Sequence, residues 1–496
     1  MAFEFNQTNL TNQKKTEVCQ FSTTSKFSVT DDAQVKKILK VVATPKINSH
    51  EQVADGVNFA GTTYVNIAYI STDDELLSIN GQFDWQNKCD SLELSQTLYL
   101  PKIADLECHI SDDCVNLSCL ISVSEIGLEQ VAIKNLVADE TLVTKKETKT
   151  VKTVVASNNE EFNIVEDFSV QSGIEEILAT KADVAVKNVY SGVDSVTIEG
   201  LCFVDALIKT ADGIGEINKA FDFKQEVSCL GATVGQIANA YIQVYNASML
   251  ISETEGDENN SNASLTVGVV CQVTTQSESE IEIVCDAFSC VADTIVSTTC
   301  EELDVYGENV LVSDNAVLNI ALDNYPEFDE IKSVLVTNTN ISEIRVVDDK
   351  TQIEGVIDAD VIYSIANGGL DKKEAVLPFV LQVSGEFTDI EKIVAQVSSF
   401  KIRGAHELEV IVSLTASPCK LEKTFINFIS SIEISEEQLQ EDAGIKMYVA
   451  KENEDLFDVS RVLKVRPEQI LAQNDNIESI NAGDKIFVYL PQTANF

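Results

Sequence analysis

Three segments of the chain share one alternating pattern of hydrophobic and polar positions. Each has a short apolar run followed by a longer run built around a glycine, which is Gly61, Gly200 or Gly355. Every second position of the longer run is mainly apolar, and the positions between are more polar. Because successive side chains of a strand point to opposite faces, this period of two predicts a strand with one buried face.

The predicted inward-facing positions correspond between the three segments. In chain order they are Val57, Phe59, Thr63, Val65, Ile67 and Tyr69; Val196, Ile198, Cys202, Val204, Ala206 and Ile208; and Thr351, Ile353, Ile357, Ala359, Val361 and Tyr363. The more polar face is predicted to hold Asn58 and Asn66; Thr197, Glu199 and Asp205; and Gln352, Glu354, Asp358 and Asp360. Agreement on both faces indicates one domain repeated three times.

A turn and a second, partly alternating run follow each predicted strand, which is typical of a hairpin. The turns are predicted at residues 71–74, 211–213 and 367–369. The second run of the first segment ends at Trp85, and Phe223 and Phe379 occupy the corresponding positions, which favours core packing over ligand stacking. A glycine inside the first strand predicts a bulge or a close backbone contact, with room for a ligand as the alternative.

Further β-type runs follow each hairpin, and few segments show helical periodicity. The sequence therefore predicts a mainly β chain of three tandem antiparallel β-sandwich-like domains, followed by a small α+β module. The predicted spans are 1–150, 151–310 and 311–440 for the β domains and 443–496 for the module. Residues 252–264 are rich in polar and acidic residues and are predicted to form a solvated loop.

The C-terminal module shows a strand-helix-helix-strand pattern. Asp455 is a suitable N-cap for the first helix, Pro467 is suited to the start of the second, and Gly483 precedes the last strand. The predicted order is strand 447–451, helix 456–463, helix 467–472 and strand 485–490.

This pattern resembles the LysM family. The likeness lies in Tyr448, Lys451, Leu456, Phe457, Asn474, Ile480, Gly483 and Ile486. It implies a shallow groove between the first turn and the loop before the last strand, where LysM modules bind N-acetylglucosamine polymers such as peptidoglycan. The candidate groove residues are Asn453, Glu454, Asp455, Leu456, Phe457, Asn474, Ile480 and Asn481. The family's Gly-Asp-Thr turn is replaced here by an acidic one, so we favour a protein ligand over a glycan and keep both.

The repeated hairpin, with Ile-x-Gly at Ile198 and Ile353, resembles the SPOCS domain of spore-forming Firmicutes. Tandem SPOCS domains followed by a LysM module are typical of the SipL-like family of clostridial spore-coat morphogenetic proteins. The resemblance implies an adaptor in the mother-cell cytoplasm that anchors coat layers at the forespore surface. It also implies a partner, namely the coat basement-layer ATPase (stage IV sporulation protein A) or another envelope protein.

The chain is strongly acidic, with 35 Lys+Arg, 80 Asp+Glu and a formal net charge of −45. Such a surface repels nucleic-acid phosphates and anionic lipids, so neither is expected as a partner. Apolar residues make up 44% of the chain, which indicates globular domains. Neither a secretory signal nor a transmembrane run is visible, so we expect a cytoplasmic chain without membrane insertion.

The sequence carries few signs of catalysis. It has no phosphate loop, zinc-protease motif or nucleophile elbow, and its 3 histidines are scattered, so we expect neither an enzyme nor a cofactor. The 12 cysteines lack CxxC spacing and lie mostly in apolar runs, which favours buried, reduced thiols and no metal site. Asp358 and Asp360 share one predicted face, which we expect to be solvated. Two alternatives to an adaptor remain: a glycan-binding cell-wall protein, and a self-assembling surface or appendage subunit.

Overall fold

Antiparallel strands dominate the computed structural model of the chain, in which 83% of residues are in strands. The structure describes all residues except 1–2, 30–33, 91–93, 112–113, 138, 172, 212, 254–260, 323–327, 366–368, 405, 440–443, 475–479 and 491–496. Parts of the predicted turns at 211–213 and 367–369, most of the loop predicted at 252–264, and the boundary at 440–443 therefore lie outside the described residues. The prediction of a mainly β, antiparallel chain is confirmed.

The strands form three pairs of sheets, and each pair is here called a unit. Unit one contains β1 (Phe5–Ser28), β2 (Val35–Val53), β3 (Gly56–Ser71), β4 (Leu76–Cys89), β5 (Ser95–Ser111) and β6 (Cys114–Leu136). Its sheets have the strand orders β2-β3-β4 and β1-β6-β5, and all neighbouring strands run antiparallel.

Unit two repeats this topology. It contains β7 (Leu142–Val170), β8 (Ile174–Ser191), β9 (Ser195–Thr210), β10 (Gly213–Ser228), β11 (Ile237–Glu253) and β12 (Ser261–Ser289). Its sheets have the strand orders β8-β9-β10 and β7-β12-β11.

Unit three repeats the topology again, with its first strand divided in two. It contains β13 (Ala292–Asn309), β14 (Val312–Ala321), β15 (Phe328–Val347), β16 (Lys350–Ile365), β17 (Leu370–Ser384), β18 (Asp389–Arg403) and β19 (Glu407–Gln438). One sheet has the order β15-β16-β17, and in the other β13, β14 and β18 all pair with β19. Sheet membership thus changes before β7 and before β13, earlier in the chain than residues 150 and 310.

The two sheets of each unit enclose one hydrophobic core. Every position predicted to face inward on β3, β9 and β16 is buried, with at most 3% of its surface exposed. The alternating pattern therefore identified the inner face of the middle strand correctly in all three units.

The strand glycines each lie beneath an aromatic ring. Gly61 pairs across the ladder with Trp85, and Phe223 and Phe379 take the same place opposite the other two glycines. A Cβ on Gly200 would lie 2.6 Å from the Phe223 ring, and one on Gly355 would lie 2.6 Å from the Phe379 ring. The close-contact interpretation of the glycines is confirmed, and the aromatic residues belong to the cores.

The three units meet at a hydrophobic cluster that we call the central junction. In each unit, the sheet that contains the repeated hairpin (β2-β3-β4, β8-β9-β10 or β15-β16-β17) is here called the hairpin sheet. The junction receives corresponding residues from the three hairpin sheets. The first strands contribute Leu39, Leu178 and Leu335, and the middle strands contribute Ala68, Leu207 and Ile362. β-Bulges in β2 and β8 fall at Leu39 and Leu178, where they interrupt the ladder beside the junction. The units are therefore arranged around a common centre.

Ionisable side chains surround this junction. Lys40 is 2% exposed, and burial lowers the pKa of its ammonium group although Asp205, Glu216 and Asp360 oppose that effect. Asp360 is 4% exposed and forms an ion pair with Lys372, with 2.9 Å between the ammonium nitrogen and the carboxylate oxygen. The expectation that Asp360 lies on a solvated face is wrong, because this end of β16 packs against the other units.

Glu216 gives the junction a pH dependence. Burial raises the pKa of its carboxyl group to about 7, against the opposing effects of Lys40 and a hydrogen bond from Asn218. The folded chain therefore keeps a proton on Glu216 between about pH 4.5 and 7 that the unfolded chain releases. The contribution of Glu216 to the free energy of unfolding falls as pH rises through this window, by at most about 1.4 kcal/mol per pH unit.

We expect Glu216→Gln to flatten this dependence. Urea unfolding of wild type and variant at pH 5 and pH 7 measures the difference, and every other carboxyl group is common to both proteins. Equal pH dependence in the two proteins would contradict the raised pKa.

One disulfide departs from the expectation of reduced thiols. Cys19 of β1 and Cys89 of β4 are bonded, which links the two sheets of unit one. No spacing signal pointed to this pair, since the two residues are separated by 70 positions. Among the free cysteines, burial raises the pKa of Cys202 and of Cys271 to about 12, so these thiols are unreactive.

Candidate functional site

The C-terminal module has the predicted order of elements. It consists of β20 (Gly444–Val449), α1 (Leu456–Leu463), α2 (Pro467–Gln473) and β21 (Lys485–Leu490), with β20 and β21 antiparallel. The first helix and the last strand match their predicted bounds, whereas β20 begins three residues earlier than predicted. Val459, Leu463, Ile470, Ile486 and Val488 form its core.

No helix in the part of the chain that the structure describes is long and apolar enough to cross a membrane.

Polar side chains fix the ends of α1. Asp455 accepts a hydrogen bond from the backbone N–H of Asp458 at 3.0 Å, and the Asp458 carboxylate accepts one from the Asp455 N–H at 3.1 Å. This reciprocal capping box satisfies N–H groups that have no partner within the helix. At the other end Lys464 is left-handed, with φ 57°, and closes the last turn.

The turn before α1 is held by Glu454. Its carboxylate accepts hydrogen bonds from the Tyr448 hydroxyl at 2.7 Å and the Lys451 N–H at 2.8 Å, and these bonds lower the pKa of the carboxyl group. Asn453 has a positive φ of 65° in the same turn. Glu454 thus braces the turn, a role that its side-chain type alone did not indicate.

The loop before β21 lies beside this turn. Gly483 donates to the Ala450 carbonyl at 2.8 Å, and the Asn481 N–H donates to the Asp484 carboxylate at 2.8 Å. Ile480 packs against the module core. The two segments that were predicted to border a groove are therefore adjacent.

Asn474 has a structural role. Its amide donates to the Phe487 carbonyl at 2.7 Å and accepts from the Phe487 N–H at 2.9 Å. It therefore ties the end of α2 to the outer edge of β21. Leu456 also lies partly within the module core, where its carbonyl accepts a hydrogen bond from Ser460 at 2.6 Å.

The start of α1 is docked on unit two. Phe457 is 8% exposed and packs against Phe288, with ring centroids 5.2 Å apart. Lys145 pairs with Asp455 at 2.6 Å, and Arg461 pairs with Asp286. These contacts occupy two of the predicted groove residues, so Phe457 is covered by the chain itself. Of the remaining candidates, Asn453 and Asn481 are exposed and Glu454 is half-buried.

The opposite side of the module is an exposed apolar sheet. We call it the outer sheet face, and it consists of Ile445, Met447, Val449, Phe487 and Tyr489, which are 44% to 73% exposed. Exposed apolar patches of this kind mark interaction sites. This face was not predicted from the sequence, although a signal was present: both strands carry apolar residues at consecutive positions, and therefore on both sides.

No protein-family model, curated protein or solved structure matched the chain in our comparisons. Within the described ranges, no group of three or more His, Cys, Asp or Glu residues is arranged to hold a metal ion.

We expect charge reversal to release the module from unit two. Arg461→Asp would place two carboxylates together at Asp286, and this repulsion would oppose the Phe457 contact and the Lys145–Asp455 ion pair that also hold the module. Small-angle scattering should then show a larger radius of gyration. The double variant Arg461→Asp/Asp286→Arg should restore the compact form, and failure of this rescue would mean that the ion pair does not hold the module.

Proposed function

We propose that the chain is a non-enzymatic adaptor of spore-envelope assembly. Three β-sandwich domains of the SPOCS type form its scaffold, and a LysM-type module binds the partner. The observation that carries the proposal is the module's position: it is anchored to the scaffold through α1 and presents the apolar outer sheet face to solvent. A small module held rigidly with one apolar face exposed is suited to binding a protein.

The proposed partner is the basement-layer ATPase of the coat, stage IV sporulation protein A, or another envelope protein, met at the forespore surface in the mother cell. Support comes from the resemblance of the hairpins and of the module. The acidic groove turn, where Glu454 and Asp455 are both engaged by neighbouring groups, favours a protein over a peptidoglycan strand.

Removal of residues 443–496 tests the proposal. A fluorescent fusion of the shortened chain should lose its forespore localisation, while circular dichroism shows the β content retained. The control is the Val376→Ser variant of the full chain, whose changed side chain is exposed on β17 away from the module. Localisation that survives the deletion would refute the adaptor role.

A second assay separates the ligand classes. The full chain and its Tyr489→Ser variant are incubated with purified peptidoglycan and, separately, with the basement-layer ATPase. The proposal expects binding to the ATPase that Tyr489→Ser weakens, with no retention on peptidoglycan. Retention on peptidoglycan alone would favour the cell-wall hypothesis instead.

A further inference from the structure

A second exposed apolar surface lies on unit two, at the end of its hairpin sheet. We call it the apolar tip, and it consists of Val193, Leu230 and Val234, which are 74%, 83% and 75% exposed. Aliphatic side chains this exposed are unusual when three occur together. The corresponding turns of units one and three, where they are described, carry Asp55, Asp348 and Asp349.

Hydrogen bonds hold the apolar tip in one shape. The Asp194 N–H donates to the Ala232 carbonyl at 2.9 Å, and the Cys229 N–H donates to the Asp194 carbonyl at 2.9 Å. The Gly231 N–H donates to the Asp194 carboxylate at 2.8 Å. The turn after β8 and the segment after β10 are therefore joined, so that the three aliphatic side chains are presented on an ordered framework.

The apolar tip and the outer sheet face cannot meet within one chain. A Cβ on Gly231 would lie 3.8 Å from Ala156, which places the apolar tip beside the middle of β7. The module is fixed near the start of the same strand, where Lys145 pairs with Asp455. Eleven strand residues at about 3.3 Å each separate these anchor points by about 35 Å.

The two surfaces are complementary in chemistry. The apolar tip carries the exposed carboxylate of Asp194, while the outer sheet face has the exposed ammonium group of Lys485 at its end. Residues 444–490 hold six Lys+Arg and eight Asp+Glu, so the module carries a net charge of only −2. A second copy therefore meets little repulsion here, although the whole chain carries −45.

We propose that copies of this chain associate head to tail, with the apolar tip of one copy seated on the outer sheet face of the next. The contact joins two different surfaces, so a pair of copies still has one free surface of each kind and can add further copies. This inference goes beyond the adaptor role and does not rest on it.

Complementary variants test the contact. Leu230→Asp places a charge on the apolar tip and leaves the outer sheet face intact. Phe487→Asp places a charge on the outer sheet face and leaves the apolar tip intact. Sedimentation velocity is measured over a range of protein concentrations at 0.15 M salt, where charges are screened beyond about 8 Å. The wild type should form species that lengthen with concentration, and each variant alone should remain monomeric. Their equimolar mixture should stop at dimers, because it supports only one intact contact.

Controls distinguish this contact from general stickiness and from misfolding. Val376→Asp places a charge at another exposed apolar position, 65% exposed on β17, and should polymerise like the wild type. Tyr489→Asp is a second outer-face variant in case Phe487→Asp fails to fold. A wild type that stays monomeric, or a Leu230→Asp variant that associates as the wild type does, would overturn the proposal. Loss of polymers with unchanged forespore localisation in Leu230→Asp would support this contact and leave the adaptor role intact, because the apolar tip lies outside the face proposed to bind the partner.

Discussion

Replacing Lys372 with methionine should lower the free energy of unfolding by about 4 kcal/mol, the usual cost of leaving a buried charge without its partner. Asp360 is 4% exposed at the central junction, and its ion pair with Lys372 is 2.9 Å long. Burial already raises the pKa of Asp360, and loss of Lys372 removes the main opposing effect. The penalty should therefore shrink at pH 4, where Asp360 can take up a proton.

Urea unfolding followed by circular dichroism measures the loss. The matched control is Lys88→Met, which breaks an ion pair with Asp55 whose side chains are 46% and 77% exposed, and it should cost less than about 1 kcal/mol. The double variant Lys372→Met/Asp360→Leu should recover most of the stability, because a buried ion pair can be replaced by apolar groups of similar volume. Equal costs for Lys372→Met and Lys88→Met would show that the junction is not desolvated.

The second large effect is expected from Gly61→Ala, which should lower the free energy of unfolding by about 3 kcal/mol. The added Cβ would collide with the Trp85 ring and lie 2.6 Å from the Lys46 carbonyl oxygen, so neither a rotation of the ring alone nor a small shift removes the clash. Because Trp85 is the only tryptophan, its fluorescence reports directly on the altered site in unit one.

Gly369→Ala is the control for this substitution. Its Cβ would lie 3.5 Å from the Ile365 side chain, an ordinary contact, and it is in unit three. In urea unfolding followed by Trp85 fluorescence, the midpoint should move to a lower urea concentration in Gly61→Ala. It should be unchanged in Gly369→Ala. A midpoint that is the same in both variants would argue against the close packing of ring on backbone.

Burial within a unit was predictable because it depends on local alternation. The inner faces of β3, β9 and β16 needed only the period of two, and the glycine-aromatic pairs needed only the alignment of the three copies. In the module, Asp455 and Pro467 identified the helix starts, since capping is also a local effect.

What the sequence did not predict depends on contacts between distant parts of the chain. Asp360 appeared solvated because its burial comes from neighbouring units, which a single strand does not reveal. Phe457 matched a groove position in a family pattern, but its surroundings are set by Phe288 on another unit. The Cys19–Cys89 bond likewise joins two sheets whose packing had to be known first.

The central junction has one more consequence. A trimer of identical subunits would have to place the same residue three times at each position around its axis. Here the corresponding positions of the middle strands hold Asn66, Asp205 and Asp360, so a single polypeptide can balance charges there without repeating any of them. Covalent linkage also makes the closure of the ring unimolecular, so it should survive dilution that would dissociate a three-chain assembly.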